Sequence, residues 1–213
     1  MNITHYGHAC VLLEVPASGR PVRILLDPGS YSPGFEDLRD LDLILITHTH
    51  PDHLDVDRIR ALNTHAELIH SPGASTALAG YPGPTRVAKP GDTLEIHGVG
   101  ITVAGGQHAC IHPDLPRMDN NGYLIADSVY HPGDAFDQPP AAADTLLLPV
   151  GGPWMKISEG IDYLRSVAPR VAIPIHQSGL APVHQELHYN LLRNLGPANS
   201  EIVILDHAST HTL

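Results

Sequence analysis

The stretch Thr47-His48-Thr49-His50-Pro51-Asp52-His53 decides how the rest of the chain must be organised. It places three imidazoles and one carboxylate within six residues, directly after the apolar run Leu41–Ile46. That run is too short for a helix and is rich in Leu and Ile, so it predicts a buried strand. The cluster therefore follows the carboxyl end of a strand, where open α/β sheets place their ligand sites.

The spacing within this cluster predicts two cation sites rather than one. His48 and His50 lie two residues apart and can direct their rings to one point, while Asp52 and His53 face a second point nearby. Crowding such groups together without a cation would leave them desolvated and unsatisfied. Imidazole and carboxylate donors without a thiolate favour Zn²⁺, and Fe²⁺ and Mn²⁺ accept the same donors. A histidine-rich surface turn is the alternative interpretation.

The composition is that of an ordinary globular chain. A length of 213 residues, with 42% hydrophobic and 16% charged residues, suits one domain spanning residues 1–213. The formal net charge of −11 argues against a sequence-independent grip on phosphate backbones, so nucleic acid is not an expected partner. The 16 histidines imply that the charge changes markedly as the pH falls below about 6.5.

The first residues of the chain contain no segment typical of export. Met1–His5 contains no lysine or arginine and so has no basic n-region, and the apolar run Ala9–Val15 is too short for a signal peptide or a membrane span. The expected location is the cytoplasm, with no membrane partner; assembly into a homo-oligomer is compatible with the sequence. Cys10 and Cys110 cannot build a disulfide framework, and we expect both to be buried as small apolar side chains.

The segment His48–His53 resembles the H-x-H-x-D-H signature of the metallo-β-lactamase superfamily. Three downstream segments match its usual companions in order: Gly106-Gln107-His108, His131-Pro132-Gly133-Asp134 and Ile173-Pro174-Ile175-His176. The resemblance covers nearly the whole chain and implies a four-layer αβ/βα sandwich, with two mixed β-sheets inside and helices outside. Periodicity alone supports only a mixed α/β fold.

The resemblance also implies a ligand set for two divalent ions. The first ion would be bound by three histidines, and the second by one aspartate and two histidines, with another aspartate between the ions. These residues are His48, His50 and His108 for the first ion, Asp52, His53 and His176 for the second, and Asp134 as the bridge. Such a two-metal site activates a bridging water and polarises the scissile oxygen, and Asp52 would take up a proton once its metal contact loosens.

The third histidine of this set has two candidates. His108 follows a predicted strand and the pair Gly105-Gly106, whose flexible backbone can bring an imidazole close to the cluster. His112 lies four residues later and precedes Pro113 in a polar stretch. We therefore predict that His108 is the ligand and that His112 faces solvent or the rim of a pocket.

Three further residues have two interpretations each. Asp27 follows the strand Val22–Leu26 and either caps a loop or, as the resemblance favours, orients a metal-binding imidazole. His8 lies between two strands and is either a hydrogen-bonded loop residue or a substrate contact at the rim, since relatives of ascorbate-phosphate lactonase often begin with a similar Gly-His segment. Trp154 follows the strand Asp144–Val150 and is either a pocket wall or a seal over the next helix.

The carboxyl-terminal third is predicted from hydrophobic periodicity. An amphipathic helix is predicted over Ser158–Val167 with Ser158 as its N-cap, and a last strand over Glu201–Leu205. The remaining residues, which include His207 and His211, are expected to form a polar tail.

Within the resembled superfamily, the pattern is most similar to the ascorbate-6-phosphate-lactonase-like branch. The segment at His108 is not the Pro-Gly-His-Thr form of many glyoxalase-II-like and true lactamase members, and His50 stands where flavodiiron-type members carry a glutamate. The expected function is a metal-dependent hydrolase that acts on a lactone, a phosphodiester or a similar bond of a small-molecule substrate. The alternative is a metal-binding regulatory or structural module that has kept the site without turnover.

Overall fold

The computed structural model describes residues 1–62 and 64–213. In these residues, seven strands form the first sheet: β1 (Asn2–His5), β2 (Val11–Val15), β3 (Val22–Leu26), β4 (Leu43–Ile46), β5 (Glu67–His70), β6 (Thr85–Val87) and β14 (Thr210–Thr212). Their spatial order is β14-β1-β2-β3-β4-β5-β6. The strands from β14 to β3 pair antiparallel and those from β3 to β6 pair parallel, so the sheet is mixed.

The second sheet repeats this plan. Within the described part of the chain it contains β7 (Thr93–Ile96), β8 (Val99–Gln107), β9 (Asp119–Ile125), β10 (Val129–His131), β11 (Thr145–Pro149), β12 (Val171–Ile175) and β13 (Glu201–Ile202). Their order is β13-β12-β11-β10-β9-β8-β7, with parallel pairing from β10 to β13 and antiparallel pairing from β7 to β10. Each sheet thus has an antiparallel half and a parallel half.

Helices cover the outer faces of both sheets. They are α1 (Val56–Ala61), α2 (Ile157–Val167) and α3 (Pro182–Leu195), with short 3₁₀ turns at Phe35–Asp37 and Pro72–Ala74. Ile59 of α1 packs in the apolar cluster that contains Ile44, whereas Leu164 of α2 and Leu192 of α3 pack on the outer face of the second sheet. A third cluster fills the space between the sheets. The predicted four-layer αβ/βα sandwich is therefore confirmed.

Strand β4 shows why the sequence folds this way. All four of its residues are buried: Leu43 and Leu45 face the core between the sheets, and Ile44 and Ile46 face the layer that contains α1. A strand covered on both faces requires a continuous apolar run rather than an alternating pattern. The strand ends at Ile46, so the seven residues from Thr47 to His53 emerge at its carboxyl edge.

The structure corrects four predictions away from the site. Helix α2 begins at Ile157, so its N-cap is Lys156 rather than the predicted Ser158. The backbone N–H of Lys156 donates to the Glu159 carboxylate. The last predicted strand is shorter and covers only Glu201–Ile202.

The other two corrections concern the tail and a cysteine. The expected polar tail contains the edge strand β14, in which His211 pairs with Ile3 of β1. Cys10 is buried as expected, but Cys110 is exposed. Among the described helices, none is long and apolar enough to cross a bilayer.

Candidate metal centre

Strand ends bring the predicted ligands together. His48–His53 follows β4, His108 follows β8, Asp134 follows β10 and His176 follows β12, so all of them lie at carboxyl ends. Their ligand atoms form two clusters, each with all its ligand atoms within 4.8 Å of one another. We name them the His50 group, which is His48, His50, His108 and Asp134, and the His8 group, which is His8, Asp52, His53 and His176.

Asp134 lies between the two groups. Its Oδ1 is 3.1 Å from His53 Nε2, and its Oδ2 is 3.0 Å from His176 Nε2, so it approaches two members of the His8 group. The same Oδ2 is 3.4 Å from Nε2 of His108, a member of its own group. This is the position that a carboxylate shared by two cations requires.

Several buried polar atoms at this point have no hydrogen-bond partner. They are Nε2 of His53, His108 and His176 and Oδ1 of Asp134. Buried polar atoms are nearly always satisfied, because an unsatisfied one costs about 1–3 kcal/mol. Divalent cations placed among these atoms would satisfy all of them, so the donor set fits the ions that the resemblance implies.

The ring tautomers also suit cation binding. His53 Nδ1 donates to Asp27 Oδ2 at 2.7 Å. Thr47 Oγ1 donates to the same carboxylate oxygen, so it accepts from Nδ1 of His48 at 2.9 Å. His108 Nδ1 donates to the carbonyl oxygen of Ala109 at 2.6 Å. In the neutral form all three rings therefore carry the proton on Nδ1, so Nε2 is the nitrogen that would bind a metal ion.

The two candidates for the third histidine lie in different surroundings. His108 is buried in the His50 group, whereas the His112 side chain is 62% exposed and lies 3.6 Å from the Asp114 carboxylate. The two glycines before His108 have positive φ, 82° and 144°, a backbone conformation that favours glycine, as predicted. A Cβ on Gly105 would lie 2.9 Å from the carbonyl oxygen of Asn120 on the paired strand, so this glycine permits close strand pairing.

His8 is buried and joins the second cluster. Its Nε2 is 2.9 Å from Asp52 Oδ2, and because an ionised carboxylate only accepts, His8 is the donor. The His8 carbonyl accepts from the backbone N–H of His176 at 2.8 Å. Both histidines have positive φ, 52° and 63°, which is uncommon outside glycine. These contacts couple the first loop of the chain to the last predicted ligand.

Electrostatic interactions set the charges of this pair. Burial, the largest influence, lowers the pKa of His8 to about 4 despite the hydrogen bond with Asp52. Burial alone would raise the pKa of Asp52, but the hydrogen bond from His8 and the nearby His53 lower it to about 2. At neutral pH the pair is thus a neutral imidazole and a carboxylate.

The pKa values of the fully buried His48 and His53 shift in opposite directions. Burial and the neighbouring His53 hold the pKa of His48 well below its usual value. Burial opposes protonation of His53 as well, but Asp134 and Asp27 outweigh it and raise the pKa of His53 well above its usual value. The carboxylates of Asp134 and Asp27 thus favour a positive charge between His53 Nε2 and Asp134, and a bound cation would supply it.

Trp154 and Asn120 hold the shared carboxylate. Trp154 is buried and its Nε1 donates to Asp134 Oδ2 at 2.7 Å. Asn120 Oδ1 accepts from the backbone N–H of Asp134, and its amide donates to the Pro132 carbonyl. Gly133, with φ of 65°, has no room for a Cβ, which would lie 2.1 Å from Asn120 Oδ1. Asn120 is not among the predicted site residues. Asparagine at the start of a buried strand is nevertheless a signal, because strands are depleted in it.

A cavity of about 400 Å³ opens directly over the two groups. Members of both groups line it, together with Tyr31, Ile111 and Trp154. Its volume is within the range of pockets that hold small ligands. Trp154 is therefore both a wall of this cavity and a hydrogen-bond donor within the centre.

Comparisons with known proteins agree with this geometry. The family model described as a beta-lactamase superfamily domain matches residues 2–176. Protein Rv0786c from Mycobacterium tuberculosis is 41% identical over 99% of this chain and 100% of its own length. The UPF0173 metal-dependent hydrolase Ta0764 from Thermoplasma acidophilum is 28% identical over 83% of each chain.

A solved structure shows the same fold. Igni18, described as a novel metallo hydrolase from Ignicoccus hospitalis, superposes with a TM-score of 0.76 at 22% identity, covering 99% of this chain and 97% of its own. With a family model matched over most of its length and a full-length relative at 41% identity, this chain belongs to the metallo-β-lactamase superfamily.

Proposed function

We propose that this protein is a metal-dependent hydrolase that cleaves an ester-type bond of a small molecule, such as a lactone or a phosphodiester. The observation that carries the proposal is Asp134, which lies between two His/Asp groups beneath an open cavity. The similarity to the metal-dependent hydrolase of Thermoplasma acidophilum supports it. Two divalent ions bound here would activate a water molecule and polarise the scissile oxygen.

Two sets of residues have different proposed roles: one would bind the ions, and the other orients the ligands. His48, His50 and His108 would hold one ion, Asp52, His53 and His176 the other, and Asp134 both. Behind them, the Asp27 carboxylate orients His53 directly and His48 through Thr47. Such supporting partners typically contribute 10–100-fold in metal affinity.

Asp52 is the proposed proton acceptor. Its carboxylate borders the cavity, is 20% exposed and is ionised at neutral pH, since its pKa is about 2. A base must lie within hydrogen-bond reach of the proton that it takes. Asp52 would meet this requirement for a water molecule held at the His8 group, because its carboxylate belongs to that group. Its hydrogen bond with His8 fixes the orientation of Oδ2.

Zn²⁺ is the proposed metal, with Mn²⁺ and Fe²⁺ as the competing ions, because the donors are imidazole and carboxylate without thiolate. We also propose a cytoplasmic location and a small-molecule substrate, with neither nucleic acid nor membrane as partner. A homo-oligomer is compatible with this proposal, and light scattering would detect it.

Metal analysis combined with an activity panel tests the proposal. The purified chain should contain two metal equivalents and should hydrolyse at least one of a lactone, a phosphodiester and a carboxylic ester. A chelator should abolish this activity, and Zn²⁺ or Mn²⁺ should restore it. A fully loaded protein that is inert on all three classes would instead be a metal-binding module without turnover.

A further inference from the structure

A second cavity, of about 440 Å³, lies beside the one over the metal centre. The two cavities share His50, His108 and Ile111 among the residues that line them. The loop of residues 109–118 forms most of the second cavity, and Thr49 of the metal-binding loop donates to Met118 Sδ at 3.4 Å. A ligand whose reactive end lies at the centre can therefore extend into this second space.

The walls of the second cavity are mainly apolar. Ile111, Pro113, Leu115, Pro116 and Met118 line it, and among the described lining residues none is acidic. Leu115 is 53% exposed, although a leucine gains free energy from burial. Exposed apolar side chains gathered around a concave surface next to polar groups are typical of ligand sites.

Among the described residues, Arg117 is the one lysine or arginine that lines either cavity. Among the described residues that line the cavity over the centre, none is a lysine or an arginine. Arg117 lines the second cavity, and its guanidinium donates to the neutral Gln107 Oε1 at 2.8 Å. Arg117 and Gln107 both also line a neighbouring cavity. Apart from the metal ions, the protein therefore offers little to hold a phosphate or a carboxylate of the substrate.

We propose that the second cavity receives an uncharged apolar arm of the substrate while the scissile group lies at the metal centre. This inference rests on the proposed function and narrows it to esters or lactones that carry an alkyl or aryl group, rather than phosphorylated sugars. Leu115 and Ile111 are then the residues that determine specificity for the arm.

Hydroxamates of increasing chain length test the cavity without requiring turnover. The hydroxamate group chelates the metal ions and carries the arm, so acetohydroxamate, butyrohydroxamate and hexanohydroxamate differ only in apolar length. The sole tryptophan of the chain, Trp154, lines the cavity over the centre and reports binding by fluorescence. In the zinc-loaded protein each added methylene should tighten binding by about fourfold until the cavity is filled.

Two matched substitutions locate the effect. Leu115→Asp should reduce the gain per methylene to less than about twofold, because it places a charge at the mouth of the cavity. Leu187→Asp is the control, since Leu187 is 51% exposed on α3 and lines neither cavity. A flat chain-length series in the unsubstituted protein, or equal losses in both variants, would overturn the proposal.

A carboxylate-tipped arm tests the opposite charge preference. The monohydroxamate of succinic acid should bind more weakly than butyrohydroxamate, which has an arm of equal length. Tighter binding of the succinyl probe that disappears in Arg117→Ala would show an anion site and overturn the proposal.

Failure of the proposed function gives a different result from failure of the cavity assignment. A protein that hydrolyses none of the substrates but still shows the chain-length gain would contradict the hydrolase proposal and support the cavity assignment.

Discussion

The His8 group and the His50 group are built differently around the same aspartate. In the His8 group, hydrogen bonds between its members fix the side chains and the loop: His8 donates to Asp52, and the backbone N–H of His176 donates to the His8 carbonyl. In the His50 group, His50 is half-buried, its Nδ1 lies 3.1 Å from His48 Nε2, and the group borders both cavities.

This difference predicts different roles for the two positions. In the His50 group, His48, His108 and Asp134 are also held by hydrogen bonds, so the difference lies in His50, which is half-buried and contacts another ligand rather than a supporting residue. A ligand that is fixed before binding loses less conformational entropy when the ion arrives, so the ion at the His8 group should bind more tightly. The ion at the His50 group should exchange more readily and meet the substrate more directly, because its position borders both cavities. Four measurements test whether the two groups differ in this way.

Asp134→Asn should have the largest effect because the side chain serves both groups. Removing its charge while retaining its size should weaken both ions by more than about 100-fold, beyond the typical effect of a supporting partner. Mass spectrometry of the native protein should then show a metal content that falls from two equivalents to less than one. Asp137→Asn is the control, since Asp137 lies three residues further along the chain and belongs to neither group. Two retained equivalents in Asp134→Asn would show that the groups bind independently.

His108→Ala should remove one ion and leave the other. The His50 group would lose one of its three imidazoles, whereas the His8 group remains complete. His112→Ala is the matched control, because His112 lies four residues later and its side chain is largely exposed. Full metal content in His108→Ala would contradict the assignment, and loss of metal in His112→Ala would make His112 the ligand.

His8→Ala should weaken the ion of its own group by about 10–100-fold, the usual cost of losing a residue that orients a ligand. His8→Gln should restore most of this affinity, because its amide N–H can replace Nε2 as the donor to Asp52. A competitive chelator titration measures both variants. If His8→Gln is as weak as His8→Ala, then His8 contributes something other than a hydrogen bond, such as direct ligation or packing against Tyr31.

The sequence predicted the layers of the fold more reliably than its edges. Short, continuous apolar runs rich in Leu and Ile, such as Leu43–Ile46, are typical of buried strands, and the resemblance supplied their arrangement. The carboxyl-terminal tail was mispredicted because β14 is an edge strand of three residues, whose polar sequence has no alternating pattern. Its pairing with β1 depends on a partner about 200 residues away, as in the register of Ile3 with His211.

The candidate site was predictable where the ligands themselves carry the signal. The cluster at His48–His53 is compact in sequence, and the strand ends that follow place His108, Asp134 and His176 beside it. The supporting contacts were not predictable, because hydrogen bonds such as that from Trp154 to Asp134 depend on side-chain positions in three dimensions. The same holds for His8, which approaches Asp52 across 44 positions of the chain.

The smallest expected effect is a pH dependence of folding that arises at His8. Its pKa is about 4 in the folded protein, because burial disfavours the charged imidazole, and about 6.5 when the chain is unfolded. Between these values the unfolded chain binds more protons, so the free energy of unfolding falls as the pH is lowered from 7 towards 4. His8 alone should contribute a loss of about 0.7 kcal/mol between pH 7 and pH 6. Urea unfolding of the chelator-treated protein at the two pH values measures the loss, and His8→Gln should reduce it by that amount. An identical pH dependence in the two proteins would mean that His8 is not buried as a neutral donor. It would also contradict the claim that the ligands of the His8 group are fixed before the ion binds.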